Sequence, residues 1–350
     1  ASYTALIEDK IFKYSEPFTL ESGAVLPRFQ LQYRTLGKVN EAKDNIVWVC
    51  HALTANAEVD DWWEGLVGVG KLYDPEKHFI ICANLLGSCY GSTGPLDTNP
   101  ETQDLYLLDF PQFTVRDMVS ALVELRKDLG FDKIHTLIGG SMGGMQAMEW
   151  AITEPEIFEN LILLATNARH SPWGIAFNES QRMAIAADPT WKDNTLEAGQ
   201  AGLAAARAMA LLSYRNYEAY WNTQNETDIE KTDHYRASSY QKYQGEKLIT
   251  RFNCQSYYFL SKAMDSHHVG RGRGGIVKAF ENVTANTLVI GVTSDELFPI
   301  SEQKYIAENI KGGVYREIDS FYGHDGFLIE TVEIHQMILE FFEDKNVKWS

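Results

Sequence analysis

Residues 137–150 read LIGGSMGGMQAMEW: an apolar run, four glycines around one serine, then a segment of helical character. Glycine loses more backbone entropy on folding than any other residue, so four at one corner need a physical reason. The preceding IHTLIGG, 134–140, has the composition of a buried strand, and MQAMEWAIT starts a helix with no linker between them. Strand, tight turn and helix form the context that the motif G-x-S-x-G requires, with Gly139 and Gly143 as its glycines and Ser141 at the apex. Small neighbours let strand and helix approach closely. The helix start also brings free N–H groups and the positive end of the helix dipole beside the hydroxyl. Ser141 is the candidate nucleophile, and the Met142 backbone N–H is the first candidate donor to an oxyanion. Outside such a context the same residues would be a close-packed turn with a serine cap.

Around this corner, short apolar runs alternate with helical patterns. FQLQYRTLG (29–37), NIVWVCHAL (45–53) and HFIICANLL (78–86) read as strands, and VRDMVSALVELRKDLG (115–130) reads as a helix. After the corner come a helix over 143–153 ending near Pro155, the strand LILLAT (161–166) and the strand NTLVIGVTSD (286–295). A helix near 301–310, the strand VYREIDS (314–320) and a terminal helix from about residue 327 complete the series. Such alternation signals an α/β fold with a mostly parallel central sheet flanked by helices. The interval between these strands, 170–284, is rich in alanine, aromatic residues and methionine and has no comparable strand sequence. We read it as a helical lid insertion, because a structureless loop of that length is implausible. The expected domains are a core of 1–169 with 285–350, and a lid of 170–284.

Bulk properties exclude several classes of function. A net charge of −17, with no sustained Lys/Arg block, argues against nucleic acid as a partner. The longest apolar runs fall far short of the roughly 20 residues that span a bilayer, and no charged-then-apolar leader is visible, so no membrane association is expected. Cys50, Cys82, Cys89 and Cys254 lack metal-binding spacing and read as reduced, mostly buried thiols. His267 and His268, in AMDSHHVG, have no ligand partner at metal spacing and read as a polar loop pair, so no metal site is expected.

A serine hydroxyl becomes a useful nucleophile when a histidine takes its proton and a carboxylate orients that histidine. In sheets of this type the chain order is serine, acid, histidine, the last two in loops after late strands. Asp295 ends NTLVIGVTSD, and His324 lies in SFYGHDGF just after strand 314–320. The other late histidine, His335, sits inside the terminal helix pattern. The second oxyanion donor is expected from CHALTAN (50–56), with Leu53 N–H as the candidate. GRGRGG, 270–275, matches the dinucleotide fingerprint G-x-G-x-x-G but follows no strand, so nicotinamide binding is not expected. Its Arg271 and Arg273 are candidates for a basic entrance toward an anionic ligand, with a solvated loop as the alternative.

HALT, GSTGP, VRDMV, GGSMGGMQAMEWA, YQGEKLITRFNCQSYYFLSKAMD, VGRGRGG and GHDGFL, in that order, resemble the homoserine O-acetyltransferase family of α/β-hydrolase-fold enzymes, and the similarity extends from about residue 15 onward. The resemblance implies acetyl transfer from acetyl-CoA, as co-substrate, to L-homoserine in methionine biosynthesis, a cytoplasmic location, a homodimer and no bound cofactor. It implies the triad Ser141, Asp295 and His324. It also implies that Arg207, in the lid, and Asp325 hold the acceptor; a guanidinium suits the carboxylate of a zwitterion and a carboxylate its ammonium. The chain departs from the family where Ala55-Asn56 follow HALT in place of the usual Gly-Asp, which bears on the acyl donor. A succinyl donor, a serine acceptor or a plain carboxylesterase are the alternatives.

Overall fold

The computed structural model describes residues 6–349. Among the described residues there are ten strands: β1 Ile7–Tyr14, β2 Phe18–Thr19, β3 Val25–Leu26, β4 Phe29–Leu36, β5 Ile46–Cys50, β6 Phe79–Ala83, β7 Ile134–Gly140, β8 Phe158–Leu164, β9 Asn286–Val292 and β10 Val314–Ile318. Eight form one sheet in the order β1-β4-β6-β5-β7-β8-β9-β10, and β2 and β3 pair separately. From β6 to β10 the pairing is parallel; β1 and β4 add an antiparallel edge. The residues show why. β5 (IVWVC), β6 (FIICA) and β7 (IHTLIGG) are buried at every position, as strands covered on both faces must be. β4 alternates buried and half-buried residues, and β1 is mostly exposed.

The helices are α1 Val59–Trp62, α2 Val115–Leu129, α3 Met142–Thr153, α4 Pro172–Ala186, α5 Gln200–Tyr214, α6 Tyr217–Gln224, α7 Arg236–Ile249, α8 Cys254–Asp265, α9 Ile276–Phe280, α10 Ile300–Asn309, α11 Gly326–Ile329 and α12 Thr331–Asp344. Alternate residues of β5 serve opposite faces: Trp48 packs edge-on with Trp150 of α3 in the cluster that also holds Leu122 of α2, while Val47 and Val49 belong to the cluster that holds Ile338 and Phe341 of α12. α2 is closed by a Thr114/Asp117 capping box at one end and by Gly130, at φ 72°, at the other. α3 is buried on all sides, lying between the sheet and α2. The terminal helix expected from residue 327 is broken in two at Glu330, which ends α11 and precedes α12.

Between β8 and β9 lie six helices, α4 to α9, with no strand of the sheet among them. α5 packs against α4 and α7, and α8 packs against α4. The chain leaves and re-enters the core at one place, where His170 N–H donates to the His267 carbonyl at 2.9 Å. β5 lies between β6 and β7, so successive connections leave it in opposite directions. That reversal opens a crevice beyond the carboxyl ends of β5 and β7, where the loops containing Leu53 and Ser141 emerge.

Candidate active site

Ser141 occupies the turn between β7 and α3 with φ 55° and ψ −124°, an unfavourable conformation for a residue with a side chain. It is held there from several sides. Its N–H donates to the Leu164 carbonyl at 2.9 Å, and its carbonyl accepts from the Thr166 hydroxyl at 2.8 Å. The glycines make room for this turn. A Cβ on Gly143 would lie 2.1 Å from the Cys50 carbonyl oxygen, and one on Gly139 would lie 2.3 Å from the Gly143 carbonyl oxygen. Among the described residues, neither the Met142 nor the Leu53 N–H has an acceptor within the protein.

Two late loops complete a line of hydrogen bonds. His324, in a short turn after β10, places Nε2 2.9 Å from Ser141 Oγ and Nδ1 2.7 Å from Asp295 Oδ2. Asp295 follows β9, and its Oδ1 accepts the N–H groups of Leu297 (2.9 Å) and Phe298 (2.8 Å), which fixes the carboxylate plane. The imidazole stacks on Phe298, with centroids 4.9 Å apart, and meets the edge of Phe327 at 5.5 Å. Burial alone would lower the His324 pKa, but the Asp295 charge and hydrogen bond outweigh it and the net shift is upward. Such an arrangement can take a proton from a serine and return it to a leaving group.

A cavity of about 130 Å³ opens on this line, bordered by Leu53, Ser141, Arg207, Tyr214, His324 and Asp325 among others. Arg207 reaches it from α5; it makes no ion pair among the described residues and lies over the Tyr214 ring at 5.7 Å. Asp325 does have a partner, Arg215 Nε at 2.9 Å, which the sequence reading overlooks along with Tyr214. The contact is an ion pair rather than an aligned hydrogen bond. Burial raises the Asp325 pKa, while Arg215, His324 and Arg207 act against that rise. A signal for these residues exists in the sequence: 207, 214 and 215 stand at i, i+7 and i+8, one face of a helix. A second cavity of about 320 Å³ shares Ala52, Thr54, Ala55 and Arg207 with the first and extends to Trp62 and Arg251.

The expected basic entrance at GRGRGG is corrected by the structure. Arg271 pairs with Glu21 (2.8 Å) and Arg273 with the buried carboxylate of Glu149 (2.9 Å), which also holds Arg116 at 3.1 Å. Neither guanidinium borders the cavities at Ser141; both are committed to carboxylates that tie the loop to the core. The loop follows α8 rather than a strand. His267 is buried with Nε2 2.7 Å from the Asn167 carbonyl oxygen, and His268 Nδ1 accepts from Gly270 N–H.

The sheet order and the serine turn define the class: residues 45–331 match the α/β hydrolase fold family. More narrowly, the chain belongs to the homoserine O-acetyltransferase family. It is 50% identical over 343 residues to the homoserine O-acetyltransferase of Cyclobacterium marinum, covering 98% of this chain and 97% of that one. It is 44% identical to that of Chlorobaculum parvum, over 97% and 96% of the two chains. The crystal structure of homoserine O-acetyltransferase from Bacillus anthracis superposes with a TM-score of 0.88 at 27% identity, over 99% of each chain.

Proposed function

We propose that this enzyme transfers the acetyl group of acetyl-CoA to the side-chain hydroxyl of L-homoserine by a ping-pong route through an acetyl-serine, a step of methionine biosynthesis. The observation that carries the reading is the hydrogen-bonded line Ser141–His324–Asp295 opening on a cavity that also presents Arg207 and Asp325. Family membership supports the choice of substrates. His324 takes the Ser141 proton as Oγ attacks the thioester carbonyl. The Leu53 and Met142 N–H groups receive the developing oxyanion, and the thiol departs with the proton from His324. Homoserine then enters. Arg207 holds its carboxylate and Asp325 its ammonium, while His324 removes the proton from its hydroxyl as that oxygen attacks the acetyl-serine. Burial raises the Asp325 pKa and the Arg215 charge opposes that rise, which favours the carboxylate form that an ammonium ion would meet. The helices α4 to α8 serve as a lid that limits hydrolysis of the intermediate.

The apolar side chains exposed on α5 and α6, Leu212, Tyr217 and Trp221, support a homodimer in which a second copy covers them. No helix among the described residues is long and apolar enough to cross a membrane, and we place the enzyme in the cytoplasm on family resemblance. Mixing enzyme with acetyl-CoA in a stopped-flow instrument is expected to give a burst of free thiol that Ser141→Ala lacks. A burst of unchanged amplitude from that folded variant would refute the assignment. Mass spectrometry of products from acetyl-CoA and succinyl-CoA, each against homoserine and serine, settles donor and acceptor. A plain esterase would consume the thioester at a rate indifferent to either amino acid.

A further inference from the structure

Among the described residues the Leu53 N–H has no acceptor, and nothing within its own residue determines where it points. Its direction is set by the peptide unit it shares with the Ala52 carbonyl: the unit is planar and trans, so the carbonyl and the N–H point to opposite sides. Whatever binds the Ala52 oxygen therefore aims the Leu53 N–H. Two donors bind it, His51 Nδ1 at 2.8 Å and the Ala55 N–H at 3.2 Å. His51 is buried, and its Nε2 accepts the Leu85 N–H at 3.2 Å, which leaves the proton on Nδ1 as donor. The Ala55 N–H belongs in turn to the peptide unit of the Thr54 carbonyl. That oxygen accepts a 2.6 Å hydrogen bond from Arg251 Nη1, which is also 2.9 Å from the Tyr90 hydroxyl.

Arg251 is not part of the hydrolase-type core. It lies between α7 and α8, in the helical insertion, and reaches back across the crevice to the loop after β5. The chain of contacts runs from guanidinium to Thr54 carbonyl and from Ala55 N–H to Ala52 carbonyl, whose peptide unit carries the unbonded N–H of Leu53, a residue that borders the cavity. Hydrogen bonds in such a chain polarise one another, and the first member carries a full positive charge. We infer that Arg251 is a positioning residue: through the Thr54 and Ala52 carbonyls it aims the Leu53 amide, so that the helical insertion completes the oxyanion hole. The inference rests on the acyl-transfer reading of Ser141. It gives the insertion a part in the first half-reaction, before any acceptor has bound.

The test uses p-nitrophenyl acetate, an acyl donor that carries no nucleotide, with the burst of nitrophenolate reporting acylation of Ser141. Loss of a direct oxyanion donor costs about 10²–10³ in rate, so the indirect loss in Arg251→Ala is expected to slow acylation by about 10-fold to 100-fold. The KM for acetyl-CoA and the melting temperature stay near their wild-type values. A trifluoromethyl ketone, which mimics the oxyanion adduct, weakens by the same factor as the rate. Arg251→Lys, still able to donate to the Thr54 oxygen, recovers most of the loss. His51→Gln, without the Nδ1 donor, is expected to lose at least as much; because Arg251 is exposed, its variants fold and test the chain even if the buried His51 variant does not. A wild-type burst that Arg251→Ala leaves undiminished, or a loss confined to KM, overturns the positioning role alone. A wild type without any burst overturns the acyl-transfer reading and this inference with it.

Discussion

Two glycine-rich stretches, GGSMGG at 139–144 and GRGRGG at 270–275, have similar composition and opposite physics. At the serine corner none of the four glycines has a positive φ; the strained residue is Ser141 itself. Those glycines supply room, since a Cβ on any of them would strike a backbone carbonyl or a packed side chain. In the second stretch Gly272, Gly274 and Gly275 all have positive φ, and only Gly270 is pressed against backbone. Here glycine supplies conformation, and the arginines between do the holding. Glycine as spacing builds a place where a side chain can be strained toward a substrate. Glycine as hinge lets a loop carry two cations onto fixed carboxylates.

The comparison is sharpest where chemistry enters. Asp295→Asn is expected to have the largest effect, about 10⁴ in kcat by analogy with the loss of orientation in other triads. The pH profile gives a second reading of the same variant. In the proposed mechanism His324 must be neutral to accept the Ser141 proton, so activity is expected to fall as pH drops through its pKa. Because Asp295 raises that pKa, the acid limb of wild type is shifted upward from the ordinary imidazole value, and removing the charge moves the limb to lower pH. An acid limb that stays in place would assign it to another group. His51 is a poor rival, since burial pushes it down to about 4.

Gly143→Ala comes next. The new methyl would sit 2.1 Å from the Cys50 carbonyl oxygen, and neither β5 nor α3 can give way without moving the loop that holds Leu53. A destabilisation of about 3 kcal/mol or more is expected, and the folded fraction should acylate slowly. Urea unfolding with burst kinetics on the same sample checks both. Full acylation at reduced stability would show that the corner tolerates a shift.

Arg273→Ala probes the other stretch. It leaves Glu149, which is 2% exposed at its side chain, with Arg116 as its one cation, at an expected cost of about 3 kcal/mol. The kcat of the folded fraction should stay near wild type, because Arg273 borders neither cavity at Ser141. A CoA-dependent rise in KM instead would return the loop to the role of a basic entrance.

Why the first stretch was legible and the second was not follows from range. Strand, turn, serine and helix lie within 134–153, and local sequence carries them. Asp295 and His324 could be found because strand ends in a parallel sheet collect at one edge, so chain order substitutes for contact. The partners of Arg271 and Arg273 lie 250 and 124 residues away, and no local pattern announces them. Arg215 shares a helix face with Arg207, which is a local signal, but its pairing with Asp325 is a long-range contact that the helix pattern does not carry. β1 gives little strand signal because an edge strand reading IEDKIFKY buries little and carries charge at half of its positions.

The smallest expected effect isolates conformation from contact. Gly272 has φ 71°, and a Cβ there would meet nothing closer than Arg116 Nη1 at 3.9 Å, so Gly272→Ala adds no clash. What remains is the cost of holding an L-residue in the left-handed region, about 1 kcal/mol. Gly272→Asn should cost less, since asparagine visits that region more readily. Acylation and transfer should be unchanged in both, and urea midpoints in the order Gly, Asn, Ala would identify conformation as the cause. Equal midpoints for all three would mean the loop can relax, and that the arginine–carboxylate pairs alone hold it to the core.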